Sequence, residues 1–310
     1  MHEFKNILFV SQGLPETGDS LQQAMTLAQR NNASLKGLIV CPKLPANMSQ
    51  YQDTYQQSLI NNLHQQINQI GQSSDLTQTS PLTVDISSGD KPIVDVIQYV
   101  EQHDRDLLIK NAEPLGEGAE GFKALDMKLL RKCPCPVWLN RTTTIPHRHK
   151  CVAVAIDPII TCDEEEQLAL RLLTLARNIA DSCNSRLHII SCWEYKLESY
   201  LRHNPWIQVD DQQLNADIAA LRDHHRQQLD RLVADSGIAG EMIVHHINGR
   251  ADDEIPRCAT TLAIDILVMG TIARTGIEGL VMGNTAENIL QSLSCSLVAL
   301  KPAGFVSPIR

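Results

Sequence analysis

The feature that most constrains this chain is that it repeats itself. "KNILFVSQ" at 5–12 matches "KCVAVAID" at 150–157, "LKGLIVC" at 35–41 matches "LHIISCW" at 187–193, and "LLIK" at 107–110 matches "LVMG" at 267–270. Near the end of each half, "LLRKCPCPV" at 129–137 falls on "ILQSLSCSL" at 289–297 without a gap, a shift of 289 − 129 = 160 residues that sets Cys135 opposite Cys295. Units of this size recurring in one order are a duplicated supersecondary structure. At 310 residues the chain accommodates two domains of about 150 residues, each able to bury a core of its own. The expected division is a first domain over 1–140, a polar, Pro-containing linker over 141–149 within "RTTTIPHRHK", and a second domain over 150–304.

Each half alternates short apolar runs with helical patterns. Strands are predicted at Ile7 to Val10, Leu35 to Cys41, Asp106 to Ile109 and Val137 to Leu139. In the second half they fall at Val152 to Ile156, Leu187 to Cys192, Glu241 to His245, Ile264 to Met269 and Leu297 to Leu300. Nearly continuous apolar strands mark a parallel sheet covered on both faces. In "DEEEQLALRLLTLARNIADS" at 163–182, Leu168, Leu172, Leu175 and Ile179 recur at spacings of four, three and four, behind a run of acids suited to a helix start. The fold class is therefore α/β: two tandem doubly wound, Rossmann-like parallel-sheet domains, with ligands expected beyond the carboxyl ends of the strands.

Charge and composition exclude several functions. The 27 basic and 36 acidic residues leave a net charge of −9, with no Lys/Arg cluster that could follow a nucleic-acid backbone, so no direct nucleic-acid partner is expected. The longest basic run, "HRHK" at 147–150, reads as a solvated linker. No secretory leader and no long apolar span is present, which predicts a soluble, cytoplasmic protein without a membrane partner. Nine cysteines, scattered mostly through apolar runs, fit buried reduced thiols.

The stretch "MGTIARTGIEGLVMGNTAE" at 269–287 carries four of the sixteen glycines directly after an apolar strand. A glycine-bearing loop leading into a helix suits an anion, because glycine lets a ligand approach the main chain and the first helical N–H groups point at it. It is neither a Walker A loop nor a Gly-x-Gly-x-x-Gly fingerprint. Asn284 and Glu287 also fit a capping box, with Gly283 merely allowing the turn. "CPC" at 133–135 lacks the second ligand pair a metal site needs and leads into an apolar strand. His224/His225 and His245/His246 put neighbours on diverging directions, and no His-Glu-x-x-His pattern or nucleophile elbow exists. No metal site and no catalytic residue is predicted. The long segment between Trp193 and Asp217 reads either as a cover for the site or as a surface excursion.

The strand ending at Met269, the glycine loop, "GNTAENIL", the last strand preceded by Cys295, and Asp157 after the first strand of the second half resemble the universal stress protein family. The duplication and "LLRKCPCPVWL" are similar to its tandem members. The resemblance implies an adenine nucleotide alpha hydrolase-like fold, a stress-response role and no dedicated reaction. It also implies ATP or a related adenine nucleotide, with Mg²⁺, as ligand of the second half. The family's nucleotide pattern of Gly, two residues, Gly, nine residues, Gly, Ser/Thr falls here on Gly270, Ala273, Gly283 and Asn284, and Ile272 stands where an arginine often precedes the second glycine. Asp157 would face the adenosine, or else cap a turn beside Pro158. Met269 and Thr285 complete the candidate set. A left-handed Ala273 costs roughly 1–2 kcal/mol and a lost charge-assisted contact roughly 1.5–3, together on the order of a hundredfold to several thousandfold in affinity. Asn284 offsets part of this, since its amide can donate to phosphate.

At the same shift of 160, Gly270 and Gly283 become Lys110 and Lys123, while Asp157 becomes Gln12 by alignment of the first strands. These read as solvated lysines on a degenerate loop. Two functions follow: a nucleotide-responsive stress protein that binds weakly through its second half, or a non-nucleotide interaction module holding a lipid or other small molecule and displaying a surface to protein partners. Slow ATP hydrolysis ranks third. The duplication implies an intramolecular pseudo-dimer, which could pair again as a homodimer.

Overall fold

The computed structural model describes residues 4–14, 19–73, 82–116, 119–143, 145–203, 209–271 and 282–309. The first half runs β1 (Asn6–Ser11), α1 (Ser20–Asn31), β2 (Ser34–Cys41), α2 (Gln52–Ser73), β3 (Thr83–Ser88), α3 (Pro92–Gln102), β4 (Leu107–Asn111), α4 (Ala124–Lys132) and β5 (Val137–Asn140). The second runs β6 (Val152–Ala155), α5 (Asp163–Ser182), β7 (Leu187–Trp193), α6 (Glu198–His203), α7 (Asp211–Asp235), β8 (Met242–Asn248), α8 (Ala251–Thr261), β9 (Ile266–Gly270), α9 (Asn284–Ser292) and β10 (Ser296–Leu300). Among the described residues, ten strands form one sheet in the order β3-β2-β1-β4-β5-β10-β9-β6-β7-β8. Within each half the pairing is parallel. Helices α1, α2, α5 and α7 bury Leu21, Leu63, Leu172 and Leu229 on one face, while α3, α4, α8 and α9 bury Ile97, Leu130, Ile255 and Leu290 on the other. Each apolar layer draws residues from both halves, so the domains share their cores. Among the described residues, no helix is long and apolar enough to cross a membrane.

The halves meet where β5 pairs antiparallel with β10, Leu139 opposite Leu297, Trp138 opposite Val298 and Val137 opposite Ala299. Since 138 + 160 = 298, the Trp138–Val298 pair is the point at which the duplication maps onto itself, and a pseudo-two-fold axis passes through it. The helix ends obey the same symmetry. Arg141, just past β5, donates from Nη2 to the carbonyl of Leu293 at 3.2 Å and from Nε to that of Cys295 at 3.2 Å. Lys301, just past β10, donates from Nζ to the carbonyl of Cys133 at 2.6 Å. Leu293 and Cys133 are the C-caps of α9 and α4, so each half caps the last helix of the other with a cation, which suits the negative end of a helix. The guanidinium also lies 4.6 Å from the Phe122 ring and the ammonium 4.8 Å from that of Phe305. Gly121, at φ +81°, fits under α9 where an added Cβ would stand 2.5 Å from the Gln291 carbonyl oxygen.

One strand and one charged run depart from sequence expectation. Strand β3, "TVDISS", is not among the predicted strands: it is an outer strand whose residues stay half-exposed or exposed, so it never needed an apolar run. The basic run at 147–150 is only partly solvated, because Lys150 is fully buried and donates to Asp19 Oδ2 at 2.6 Å. Burial alone would raise the Asp19 carboxyl, but the Lys150 ammonium and the amides of Asn140 and Gln23 outweigh it and hold it below the usual carboxylate range. The predicted helix at 163–182 is α5, with Leu172, Leu175 and Ile179 buried. Arg141→Met, which strips the cation from the α9 end, is expected to lower stability to urea by about 2 kcal/mol. Arg131→Gln, at the exposed ion pair with Glu287, is expected to cost less than about 1 kcal/mol.

Candidate functional site

Parallel strands in doubly wound order leave a crevice where the winding reverses, here between β6 and β9 in the second half and β1 and β4 in the first. Ala155 of β6 lies opposite Met269 of β9. Asp157 therefore follows one strand of the crevice, Gly270 ends the other, and Gly283, Asn284 and Thr285 open the helix that follows. Ala273, with Ile272 and Arg274, lies outside the described residues.

Each candidate has a local role. Met269 is buried in the layer under α8 and α9, so only its backbone bears on the crevice. Gly270 lets α5 pack closely, since a Cβ there would meet Leu168 at 3.3 Å and Leu172 at 3.7 Å. Gly283 is the N-cap of α9 at φ −68° and ψ 144°, a conformation open to any residue, and its N–H is bonded to the Thr271 carbonyl at 3.2 Å. The capping box does not form. Asn284 is the first helical residue, the Glu287 N–H donates to the Gly283 carbonyl at 2.9 Å, and the Glu287 carboxylate turns to Arg131 of the first half. Helical geometry leaves the N–H groups of Asn284, Thr285 and Ala286 without intrahelical partners; Asn284 and Thr285 are exposed. Asp157 is also exposed, and its Oδ1 accepts the Ile159 N–H at 3.0 Å, the Asx turn anticipated beside Pro158.

One residue linked to α9 was missed. Arg250, between β8 and α8, donates to Asp252 at 2.8 and 3.1 Å, and Asp252 accepts from Asn288 of α9 at 2.9 Å. Arg250 and Asn288 hold the Asp252 carboxyl down at about 2. The signal was a single basic residue between a strand end and a helix opening with three acids, "GRADDE".

The first-half equivalent is filled from within. Lys110 is not solvated: its Nζ reaches Asp126 Oδ1 at 2.5 Å and the Asn111 carbonyl at 2.7 Å, while Asp126 Oδ2 accepts the Glu113 N–H at 2.7 Å. Asp126 is fully buried in the first turn of α4, so a carboxylate of the chain occupies the anion-favouring end of that helix. Lys123 does stay exposed. At the shift of 160, Lys110 and Asp126 correspond to Gly270 and Ala286, so the second half carries neither charge. Asp126→Asn leaves the half-buried Lys110 ammonium without its counter-charge and is expected to cost about 2–3 kcal/mol in urea denaturation. The double change Lys110→Met/Asp126→Leu is expected to cost less than that single.

No group of three or more metal-ligating side chains exists among the described residues. The histidines pair instead on opposite faces of β8, the outer strand of the second half. His188 Nδ1 lies 2.9 Å from His245 Nε2, and His225 Nδ1 lies 3.0 Å from His246 Nε2 beside Trp193. Burial, with neighbouring cations at His188 and His246, holds His188, His245 and His246 below the ordinary histidine value. The folded state thus favours neutral rings, and the unfolded chain binds more protons once the pH falls below about 6.5. Stability is expected to be full above that pH and to fall on acidification to about pH 5. His188→Asn/His245→Asn is expected to flatten this slope in urea melts at each pH.

A duplicated chain with a crevice at the reversal of each half, and a helix opening directly behind it, is a doubly wound α/β protein of tandem, Rossmann-like type. Residues 150–301 match the model of the universal stress protein family. Universal stress protein E of Photorhabdus laumondii is 26% identical over 317 residues, covering 100% of this chain and 99% of the relative. Universal stress protein E of Escherichia coli K12 is 29% identical over 234 residues, covering 74% and 71%. A functionally unknown protein from Pseudomonas aeruginosa PAO1 shares the fold at a TM-score of 0.71 and 25% identity, covering 97% of this chain and 94% of that one. The chain belongs to the universal stress protein family, in its tandem, universal stress protein E-like form.

Proposed function

We propose that the chain is a cytoplasmic stress-response protein whose second domain binds ATP or a related adenine nucleotide weakly, while the first is a non-binding copy. The observation that carries this reading is the contrast between the halves. Asp126 and Lys110 fill the first-half crevice with a fixed ion pair, whereas Ala286 and Gly270 contribute no charged side chain at the matching positions. The first-turn N–H groups of α9 and the side chains of Asn284 and Thr285 would hold phosphate, and Asp157 would face the adenosine. Bound nucleotide would supply anionic oxygens, with or without Mg²⁺, and act by shifting the population of loop conformations and partner surfaces rather than by turnover. The Gly283 N–H, already bonded to Thr271, favours weak over tight binding and lends support to a second reading, an interaction module that holds a lipid or other small molecule.

Calorimetric titration of the full chain with Mg²⁺-ATP tests the choice. Weak exothermic binding is expected. Ala286→Asp, which copies the carboxylate of Asp126 onto α9, is expected to weaken binding at least about tenfold. Gly283→Lys copies the N-cap of α4, where Lys123 adopts φ −69° and ψ 168°, and should weaken binding by crowding without strain. No heat at millimolar ATP leaves the interaction module; binding untouched by Ala286→Asp moves the site off α9.

A further inference from the structure

Cys133 and Cys135 take no part in the crevice. Their sulfurs lie 3.6 Å apart, and both side chains are buried, in a protein whose nine cysteines are all unbonded to one another. Cys135 also lines a cavity of about 450 Å³ shared with Arg105, Arg171, Lys301 and Phe305, while Cys133 is fully buried, so of the two residues only Cys135 borders space open to a small polar molecule. The thiol–thiol contact and the Lys301 ammonium draw the Cys133 thiol down against burial, while Cys135 is held up by the same contact and by burial. One thiolate shared by two sulfurs beside a fixed cation is a nucleophile with its resolving partner already in contact.

We propose that Cys133 and Cys135 form a reversible dithiol–disulfide couple, oxidised by small hydroperoxides that enter the cavity at Cys135. In the first step the Cys133 thiolate takes the proton of Cys135 across the sulfur–sulfur contact, the Cys135 sulfur bonds to the terminal peroxide oxygen, the O–O bond breaks, and the departing alkoxide takes up from solvent the proton that Cys133 had released and leaves as an alcohol. In the second, the Cys133 sulfur attacks the sulfenic sulfur of Cys135, the S–S bond forms, the S–O bond breaks, and the oxygen leaves as water with the Cys133 proton. The net change is dithiol plus hydroperoxide to disulfide plus alcohol plus water, the two electrons passing from the thiols to the peroxide. A small dithiol reductant reverses it by exchange. The couple sits at the seam: Cys133 is the C-cap of α4, and its carbonyl receives Lys301 from the other half. Closing the sulfurs from 3.6 Å to bonding distance must shift this end of α4, and so oxidation bears on how the halves join.

The test uses the full chain, reduced, exposed to hydrogen peroxide, then treated with N-ethylmaleimide in denaturant and digested with trypsin. Cleavage after Lys132 and Arg141 releases residues 133–141, "CPCPVWLNR", with both thiols. The expected result is loss of both alkylation sites in this peptide together with loss of two hydrogens in mass, both restored by dithiothreitol. Cys135→Ser is expected to abolish this and leave Cys133 alkylated. Two results overturn the proposal: a peptide alkylated at both cysteines under peroxide that oxidises the exposed Cys162, or disulfide formation no faster in the folded protein than in the chain unfolded by urea. The folded-against-unfolded comparison needs no variant, so it decides even if Cys135→Ser does not fold.

Discussion

The antiparallel pairing of β5 with β10 organises the molecule. Each half alone would end in a strand with an unpaired row of N–H and C=O groups, and in a helix whose last carbonyls look for donors. Joining the two edges satisfies both needs at once. The Trp138–Val298 pair marks the axis, and Arg141 and Lys301 reach across it to the carbonyls at the ends of α9 and α4. Asn140 extends the same bond network to Asp19 at 2.9 Å, and Asp19 holds the buried Lys150 at the entry to the second half. The seam is thus a line of charge-assisted bonds between two apolar layers that run through both domains.

A shared seam asks both halves to keep the fold but not to keep two sites. This is the physical setting in which the first half could exchange a ligand crevice for an internal ion pair. Asp126 places a carboxylate at the helix end that favours an anion, and Lys110, where a strand glycine would stand, neutralises it. The second half keeps small residues at both positions. The same seam carries the Cys133–Cys135 pair, so its chemistry is coupled to the joint between domains and not to the crevice.

Much of the fold was legible because parallel strands buried on both faces must be largely apolar, and β1, β2, β4, β6, β7, β9 and β10 each carry a nearly continuous apolar run. Strand β3 was not, since an outer strand with one face in water can be "TVDISS". In the site, the position of Asp157 beside the end of β9 followed from strand order, but the use of each residue did not. Gly270 proves to serve helix packing, and Gly283 has no need of glycine's conformational freedom. Glu287 left its expected cap for Arg131, a partner 156 residues away in sequence that no local pattern could name. Arg250 was overlooked because it reaches α9 only through Asp252, from a different loop.

By itself the sequence determined the duplication, the α/β class and the order of all strands but β3, because all of these follow from hydrophobic periodicity and local turn chemistry. Tertiary structure alone decided that the two sheets become one, that Lys150 is buried and Lys110 half-buried against carboxylates, and that two cysteines of a core-bound "CPC" face each other beside a cation. Each of these depends on which groups meet across distant segments, and the free energy of a buried charge or thiol is set by those neighbours and not by its position in the chain.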